Sequence, residues 1–129
     1  MIIGIGIDSV EVERFAHWHT YAPSTLHRIF SQEEINYCLS NLTKSAERFA
    51  VRFAAREAFF KALSSAYPAI TIPFLTVCRS ISITKLDNQA PVLKIDWQKL
   101  LGTNSDIKSF VSLTHTKTVA TAIIILEKS

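Results

Sequence analysis

Residues 44–66, KSAERFAVRFAAREAFFKALSSA, decide the fold because they predict the longest helix of the chain. The segment is rich in Ala, Glu, Arg and Phe, and Pro68 stands just past its end, which is typical of a helix and its termination. The N-cap is expected at Thr43 or Ser45. The rest of the chain is expected to pack against this helix.

The predicted helix carries different residue types on its different sides. Its phenylalanines share one face, whose simplest role is core packing. Its arginines recur at every fourth residue, and Arg56 is expected on a solvated face. Glu57 and Lys61 form an i, i+4 pair, which ordinarily stabilises a helix by roughly a few tenths of a kcal/mol. The phenylalanines are Phe49, Phe53 and Phe60, and the arginines are Arg48, Arg52 and Arg56.

The N-terminal segment, MIIGIGID at residues 1–8, predicts a strand. Its isoleucines alternate with two glycines and Asp8, so the isoleucines lie on one face and Asp8 lies on the other, beside open space. Glycine in a strand marks the close approach of a ligand or of another backbone, and packing against a helix is an equally good explanation.

The remaining segments complete an α+β pattern of one strand, then helices, then strands. We predict a single domain, residues 1–129, with an antiparallel β-sheet packed against one long helix and several short helices. Ser31 and Glu34 have the spacing of a capping box. Helices are predicted at 10–19, 24–29, 32–39 and 97–101, strands at 80–86, 92–95, 109–114 and 119–126, and a turn at 87–91.

Composition fits one soluble domain. The chain has 129 residues, of which 48% are hydrophobic, and a net charge of +3. No apolar run reaches the roughly 18 residues that a membrane span requires, and the N-terminus does not resemble a signal peptide, so we expect a cytoplasmic protein without a membrane partner. Cys38 and Cys78 are expected to be reduced core residues. The clustered arginines indicate attraction to an anion.

Four residues are candidates for phosphate chemistry. Asp8 and Glu57 could hold Mg²⁺, which takes one or two protein carboxylates and completes its shell with phosphates and water. Lys61 could neutralise a phosphate, and His115 lies in a tight bend that offers several donors. Each also has an ordinary alternative: a solvated carboxylate, a helix-stabilising pair or an exposed turn histidine.

Three blocks in series resemble the holo-acyl-carrier-protein synthase family. They are GIGIDSVEVERF at 4–15, ERFAVRFAAREAFFKAL at 47–63 and SLTHTKTVATAIII at 112–125. RIFSQEE at 28–34 is also similar to the family's segment between the first two blocks. The resemblance covers most of the chain apart from about residues 65–105.

The resemblance implies an activity and an assembly. Such an enzyme transfers the 4'-phosphopantetheine group of coenzyme A to a serine of apo acyl carrier protein, with Mg²⁺, for fatty acid biosynthesis. It releases adenosine 3',5'-bisphosphate. The family forms homotrimers with active sites between subunits, so acyl carrier protein, coenzyme A and two further copies of the chain are the expected partners, and nucleic acid is not.

The resemblance also implies roles for individual residues. Asp8, Glu57 and Lys61 are the expected catalytic residues, with Asp8 and Glu57 as metal ligands. Arg14 and Arg28 are expected to dock the acidic helix of the carrier protein. The residues expected to bind coenzyme A are Arg52, Lys61, Ser64, His115 and Thr116.

The chain departs from the family at two places, and two other functions stay open. Arg56 stands where the family usually has Lys, and Ser64 with Ser65 stands where it usually has glycine. A homologue that binds coenzyme A or a carrier without turnover is one alternative. A basic nucleic-acid-binding module is the other, although the sequence has no recognised motif of that kind.

Overall fold

The computed structural model describes residues 1–85 and 89–129. Its strands are β1 (Ile2–Glu11), β2 (Ile81–Thr84), β3 (Val92–Ile95), β4 (Ile107–His115) and β5 (Val119–Lys128). Its helices are α1 (Pro23–Leu26), α2 (Gln32–Leu39), α3 (Ser45–Ala66), α4 (Phe74–Arg79) and α5 (Trp97–Leu101), with 3₁₀ helices at Val12–Phe15 and Trp18–Thr20. None of the helices in these ranges is long and apolar enough to cross a membrane.

The predicted α+β class is confirmed. A three-stranded antiparallel sheet has the order β1-β5-β4, and β2 and β3 form a separate antiparallel hairpin. The helix predicted at 32–39 begins with the predicted capping box, in which Ser31 Oγ accepts from the Glu34 N–H at 3.2 Å. Asp96 caps α5, and Gly102 ends it with a φ of 74°.

Several predicted boundaries are wrong. Residues 10–19 do not form an α-helix, because Val10 and Glu11 extend β1 by pairing with β5 and the chain then turns through the two 3₁₀ helices. The N-cap of α3 is Lys44, which makes no side-chain capping bond. Residue 86 of the strand predicted at 80–86 and residues 87 and 88 of the turn predicted at 87–91 lie outside the described residues.

The two glycines of β1 allow α3 to pack directly on the strand backbone. A Cβ atom built on Gly6 would lie 1.8 Å from the carbonyl oxygen of Ala58, and one on Gly4 would lie 2.3 Å from that of Ala62. Any side chain at these positions would push the helix away. Of the two explanations for these glycines, helix packing is therefore the one that applies.

The two faces of the larger sheet differ. Ala122 and Ile124 of β5 are fully buried against α3. The opposite face leaves apolar side chains open to solvent: Ile5 is 54% exposed, Ile7 57% and Phe110 51%. The predicted separation of isoleucines from glycines and Asp8 is confirmed for Ile5 and Ile7, while Ile3 is partly buried.

Arg56 is completely buried, so the expectation of a solvated position is wrong. Its guanidinium forms a bidentate ion pair with Glu34, with Nη1 to Oε2 at 2.8 Å and Nη2 to Oε1 at 2.5 Å. Its remaining N–H groups donate to the backbone carbonyls of Ile29, Arg52, Cys78 and Ile81. The network therefore joins α3 to α2, α4 and β2.

Glu34 is the carboxylate partner of Arg56 in this network. Burial alone would raise the pKa of its carboxyl group, but the charge and hydrogen bonds of Arg56 and the hydrogen bonds of Ser31 outweigh burial and lower the pKa below 4.5. Phe49 and Phe53 lie in the core as predicted, and so do Cys38 and Cys78, both free thiols.

Candidate active site

Lys61 of α3 lies beside the C-terminal half of β1. Its Nζ donates to Asp8 Oδ1 at 3.0 Å and to the backbone carbonyl of Ile7 at 3.0 Å. The Lys61 side chain is 55% exposed and that of Asp8 is 13% exposed. Lys61 thus pairs with the strand carboxylate, and no ion pair with Glu57 is found within the described ranges.

Glu57, one helical turn before Lys61, meets the same strand carboxylate. Burial and the neighbouring Asp8 carboxylate raise the pKa of Glu57, while Arg14 and Lys61 act in the opposite direction. Two carboxyl groups side by side repel when both are ionised, which stabilises the protonated form of Glu57 relative to that of an isolated carboxyl group. The structure therefore brings together the two residues that the sequence could not place near each other.

This carboxylate pair fits a divalent cation. Asp8 Oδ2 is buried and has no hydrogen-bond partner, so one hard oxygen ligand is available. Across residues 1–85 and 89–129, no group of three or more His, Cys, Asp or Glu side chains could hold a metal. Two carboxylates without further protein ligands are the donor set expected when Mg²⁺ also binds substrate phosphates and water.

A cavity of about 310 Å³ opens beside these side chains. Glu57 and Lys61 line it together with the rings of Phe60 and Phe74, whose centroids are 5.4 Å apart. Sequence reasoning assigned Phe60 to the core and gave Phe74 no role, since no periodicity in that segment indicated a helix. The cavity offers an apolar wall next to the charged groups.

Ser64 lies at the same end of α3, on an adjacent cavity of about 250 Å³ that Phe60 also lines. Ser64 and Ser65 are both helical residues of α3, which continues to Ala66. Helix α3 therefore extends through the position where the family usually has glycine. Ser64 is exposed, so its hydroxyl is accessible to a ligand.

His115 and Arg52 lie in a different cleft. This cleft has a volume of about 200 Å³, and there His115 Nδ1 is 3.6 Å from Glu47 Oε2. Glu47 precedes Glu57 by ten residues on α3, a distance of about 15 Å along the helix axis. Within one protomer, the structure does not bring His115 and Arg52 to the Asp8 and Glu57 carboxylates.

Thr116 shapes the turn between β4 and β5. Its Oγ1 accepts from the N–H groups of Thr118 at 3.2 Å and Val119 at 3.1 Å, and its own N–H donates to the Val119 carbonyl at 2.8 Å. These bonds fix the backbone directly after His115. Thr116 remains exposed.

The two arginines predicted to dock a carrier protein are both exposed. Arg14 lies with its Cζ 5.4 Å from the centre of the Phe53 ring, and its charge acts on the Glu57 carboxyl group. Arg14 therefore borders the carboxylate pair. Arg28 lies in the turn that follows α1.

Comparison with known proteins identifies the class. Residues 4–124 match the family profile described as the 4'-phosphopantetheinyl transferase superfamily. The holo-[acyl-carrier-protein] synthase of Treponema pallidum (strain Nichols) is 40% identical over 129 residues, covering 98% of this chain and 97% of that protein. The corresponding synthase of Treponema denticola is 37% identical over 129 residues, covering 98% and 99%. The chain therefore belongs to the holo-[acyl-carrier-protein] synthase family.

The fold agrees with solved structures of the same family. The ACPS-CoA complex of Chronobacterium ammoniagenes has a TM-score of 0.80 and 26% identity, covering 97% of this chain and 96% of that one. The match extends over nearly the whole of both chains. The family resemblance read from the three sequence blocks is confirmed.

Proposed function

We propose that this chain is a holo-[acyl-carrier-protein] synthase that moves the 4'-phosphopantetheine group of coenzyme A to a serine of an apo acyl carrier protein. The observation that carries the proposal is the meeting of Asp8, Glu57 and Lys61 at one opening, in a chain of this family. The serine oxygen forms a bond to the β-phosphorus, and the bond from that phosphorus to the leaving adenosine 3',5'-bisphosphate breaks. Residues 1–129 act as one transferase domain.

Asp8 and Glu57 are the proposed Mg²⁺ ligands. When bound there, the ion supplies positive charge that stabilises the phosphate oxygens during transfer. Glu57 would supply the second carboxylate ligand, and a cation held there would offset the Asp8 charge that, together with burial, raises the pKa of Glu57. Removal of the hydroxyl proton from the carrier serine falls to a carboxylate of this pair or to a water molecule beside it.

Lys61 is the proposed phosphate-binding cation of the site. Its ammonium group is anchored by the Ile7 carbonyl and Asp8, which hold it at the mouth of the cavity. From there it can donate to a departing phosphate oxygen and offset the charge that develops. Ser64, three residues further along α3, has an accessible hydroxyl for the same ligand.

Arg52, His115 and Thr116 are proposed to bind the nucleotide phosphates of coenzyme A from a neighbouring subunit. Along α3, Arg52 lies about 7.5 Å from Glu57, and Glu47, the neighbour of His115, lies about 15 Å from it. A second copy would therefore bring this cleft to a compact site. The exposed apolar side chains on the outer face of the larger sheet support such an assembly. We propose a homotrimer in the cytoplasm, with acyl carrier protein as its protein substrate.

Arg14 and Arg28 are proposed to receive an acidic helix of the carrier protein. Both are exposed, and Arg14 borders Glu57, so a carrier docked there has its serine near the carboxylate pair. Surface charges of this kind mainly raise the association rate and fix the orientation of the partner, and salt screens their attraction.

The test is mass spectrometry of an apo carrier protein after incubation with this protein, coenzyme A and Mg²⁺. The expected result is a carrier heavier by one phosphopantetheine group, and an unmodified carrier when a chelator is added or when the carrier serine is replaced by Ala. An unmodified carrier in the complete reaction, together with coenzyme A binding in calorimetry, would instead identify a non-catalytic homologue. Tight binding to DNA without any response to coenzyme A would indicate a nucleic-acid-binding module.

A further inference from the structure

Tyr37 of α2 stacks against two arginines of α3. The Cζ atom of Arg48 lies 3.9 Å from the centre of the Tyr37 ring, and that of Arg52 lies 4.6 Å from it. Residues four apart on a helix share a face, so these two cations are neighbours and repel each other. The electron-rich Tyr37 ring attracts each guanidinium group and offsets part of the repulsion between them.

Arg48 is held in place through only one of its nitrogens. Its Nη1 donates to the Tyr37 carbonyl at 2.7 Å and to Ser40 Oγ at 3.0 Å. In the described part of the chain, its Nε and Nη2 have no acceptor, although Arg48 lines the cleft that contains His115. Those N–H groups are available to an anion.

Arg52 is buried without adequate neutralisation. It is 4% exposed, and its Nε is a buried donor without a hydrogen bond. The nearest carboxylate oxygen, Glu34 Oε2, is 3.9 Å away and already accepts from Arg56 at 2.8 Å. A buried guanidinium with an unused donor is costly unless a further anion pairs with it. Arg52 also lines this cleft.

We propose that Arg48 is a further phosphate-binding residue of this cleft and that Tyr37 is a positioning residue, which holds Arg48 and Arg52 side by side. The ligand class is a phosphate monoester dianion on a nucleotide. The two guanidinium groups held against the Tyr37 ring offer planar pairs of N–H donors that match phosphate oxygens. This inference rests on the proposed function, because it takes the cleft to be the coenzyme A nucleotide site.

The test is calorimetric binding of adenosine 3',5'-bisphosphate to the full chain and its variants. Arg48→Gln removes the charge and is expected to weaken binding about tenfold, the loss of one charge-assisted phosphate contact. Tyr37→Leu removes the ring and is expected to weaken binding about fivefold. Tyr37→Phe restores the ring and is expected to rescue binding. Arg79→Gln, at an exposed arginine of α4, is the matched control for a lost charge and is expected to bind like wild type.

Arg48 also caps the C-terminal end of α2, so stability must be measured alongside affinity. The binding role predicts a higher KM for coenzyme A in Arg48→Gln, with kcat and the KM for the carrier retained. Arg48→Lys, which keeps a donor for the Tyr37 carbonyl but loses the planar stack, is expected to fall between wild type and Arg48→Gln. It serves as the test if Arg48→Gln does not fold.

Two results would overturn the inference. One is a folded Arg48→Gln or Arg48→Lys variant with wild-type affinity for the bisphosphate, whatever its melting temperature. The other is Tyr37→Leu binding as tightly as wild type. A wild-type chain that binds the bisphosphate but leaves the carrier unmodified refutes the proposed transferase function instead, so the two failures are distinguishable.

Discussion

Replacing Arg56 with Lys tests whether the buried network of this residue governs stability. All five guanidinium N–H groups of Arg56 have acceptors: two oxygens of Glu34 and the carbonyls of Ile29, Arg52, Cys78 and Ile81, with Nε shared between two of them. A Lys ammonium keeps the charge but has three donors and no planar fork. At least two of these bonds are therefore lost.

The magnitude follows from the bonds that cannot be remade. A hydrogen bond to a charged group contributes about 1.5–3 kcal/mol, and a buried acceptor left unpaired costs about 1–3 kcal/mol. Losing two bonds to buried acceptors thus predicts a decrease of about 3 kcal/mol in the free energy of unfolding. On a solvated helix face the same substitution would change it by less than about 0.5 kcal/mol. A buried and a solvated position for Arg56 therefore predict measurably different changes in the free energy of unfolding.

Urea unfolding followed by circular dichroism measures this free energy. Arg56→Lys is expected to lower the midpoint with an unchanged denaturant dependence, and Arg79→Lys, at an exposed position, is the control and is expected to match wild type. Arg56→Met is expected to be worse than Arg56→Lys, since Glu34 then becomes an unpaired buried charge. If Arg56→Lys stays within about 0.5 kcal/mol of wild type, the reasoning about this network is refuted.

Three further predictions concern pH, packing and the metal site. Because the folded-state pKa of Glu34 is lowered, the ionised side chain stabilises the fold above its ordinary pKa of 4.5, and this stabilisation is lost as pH falls through the folded-state pKa. Glu34→Gln should therefore make the free energy of unfolding less dependent on acid pH. An unchanged acid transition in this variant would contradict the ionised state assigned to Glu34. Gly6→Ala should lower the free energy of unfolding by more than about 3 kcal/mol, because its Cβ would collide with the Ala58 backbone. Gly102→Ala has open space around it but a φ of +74°, so it should lower that free energy by only about 1 kcal/mol. Urea unfolding measures both changes. Because the folded-state pKa of Glu57 is raised, its ionisation destabilises the metal-free fold as pH rises above the ordinary value of 4.5. Glu57→Gln should raise the melting temperature of the metal-free protein at neutral pH, abolish the stabilisation by added Mg²⁺, and lower kcat about 10²-fold or more. Asp8→Ala also removes the hydrogen bond from Lys61, so it should share only the last two effects.

The fold was predictable from residue patterns wherever one pattern dominated. The alternation in β1, the capping box of α2 and the composition of α3 each predicted the correct element. Residues 10–19 were predicted wrongly because helix propensity is a weak local preference, and pairing of β1 with β5 outweighed it at Val10 and Glu11. The burial of Arg56 could not be inferred from spacing, since only tertiary structure places α2, α4 and β2 over that side of α3.

The sequence supplied candidate site residues, but their proximity in the fold could not be predicted from their spacing. Asp8 and Glu57 are far apart in sequence, and only the family resemblance suggested that they meet. The physical cause is visible in the fold: the glycines of β1 let α3 approach until Ala58 and Ala62 touch the strand, which carries Glu57 and Lys61 to Asp8. The separate cleft of Arg52 and His115 had no signal in the sequence beyond the same resemblance.

Arg56 and Glu57 are adjacent in sequence and act in opposite energetic directions. Burial and the neighbouring Asp8 carboxylate raise the pKa of Glu57, so both disfavour its ionised form. Arg56 points the other way and fastens α3 to α2, α4 and β2 through a saturated set of donors. A helix fixed by these bonds on one side can hold the Asp8 and Glu57 carboxyl groups close together on the other. The buried ion pair therefore stabilises the helix position that the proposed metal site at Asp8 and Glu57 requires.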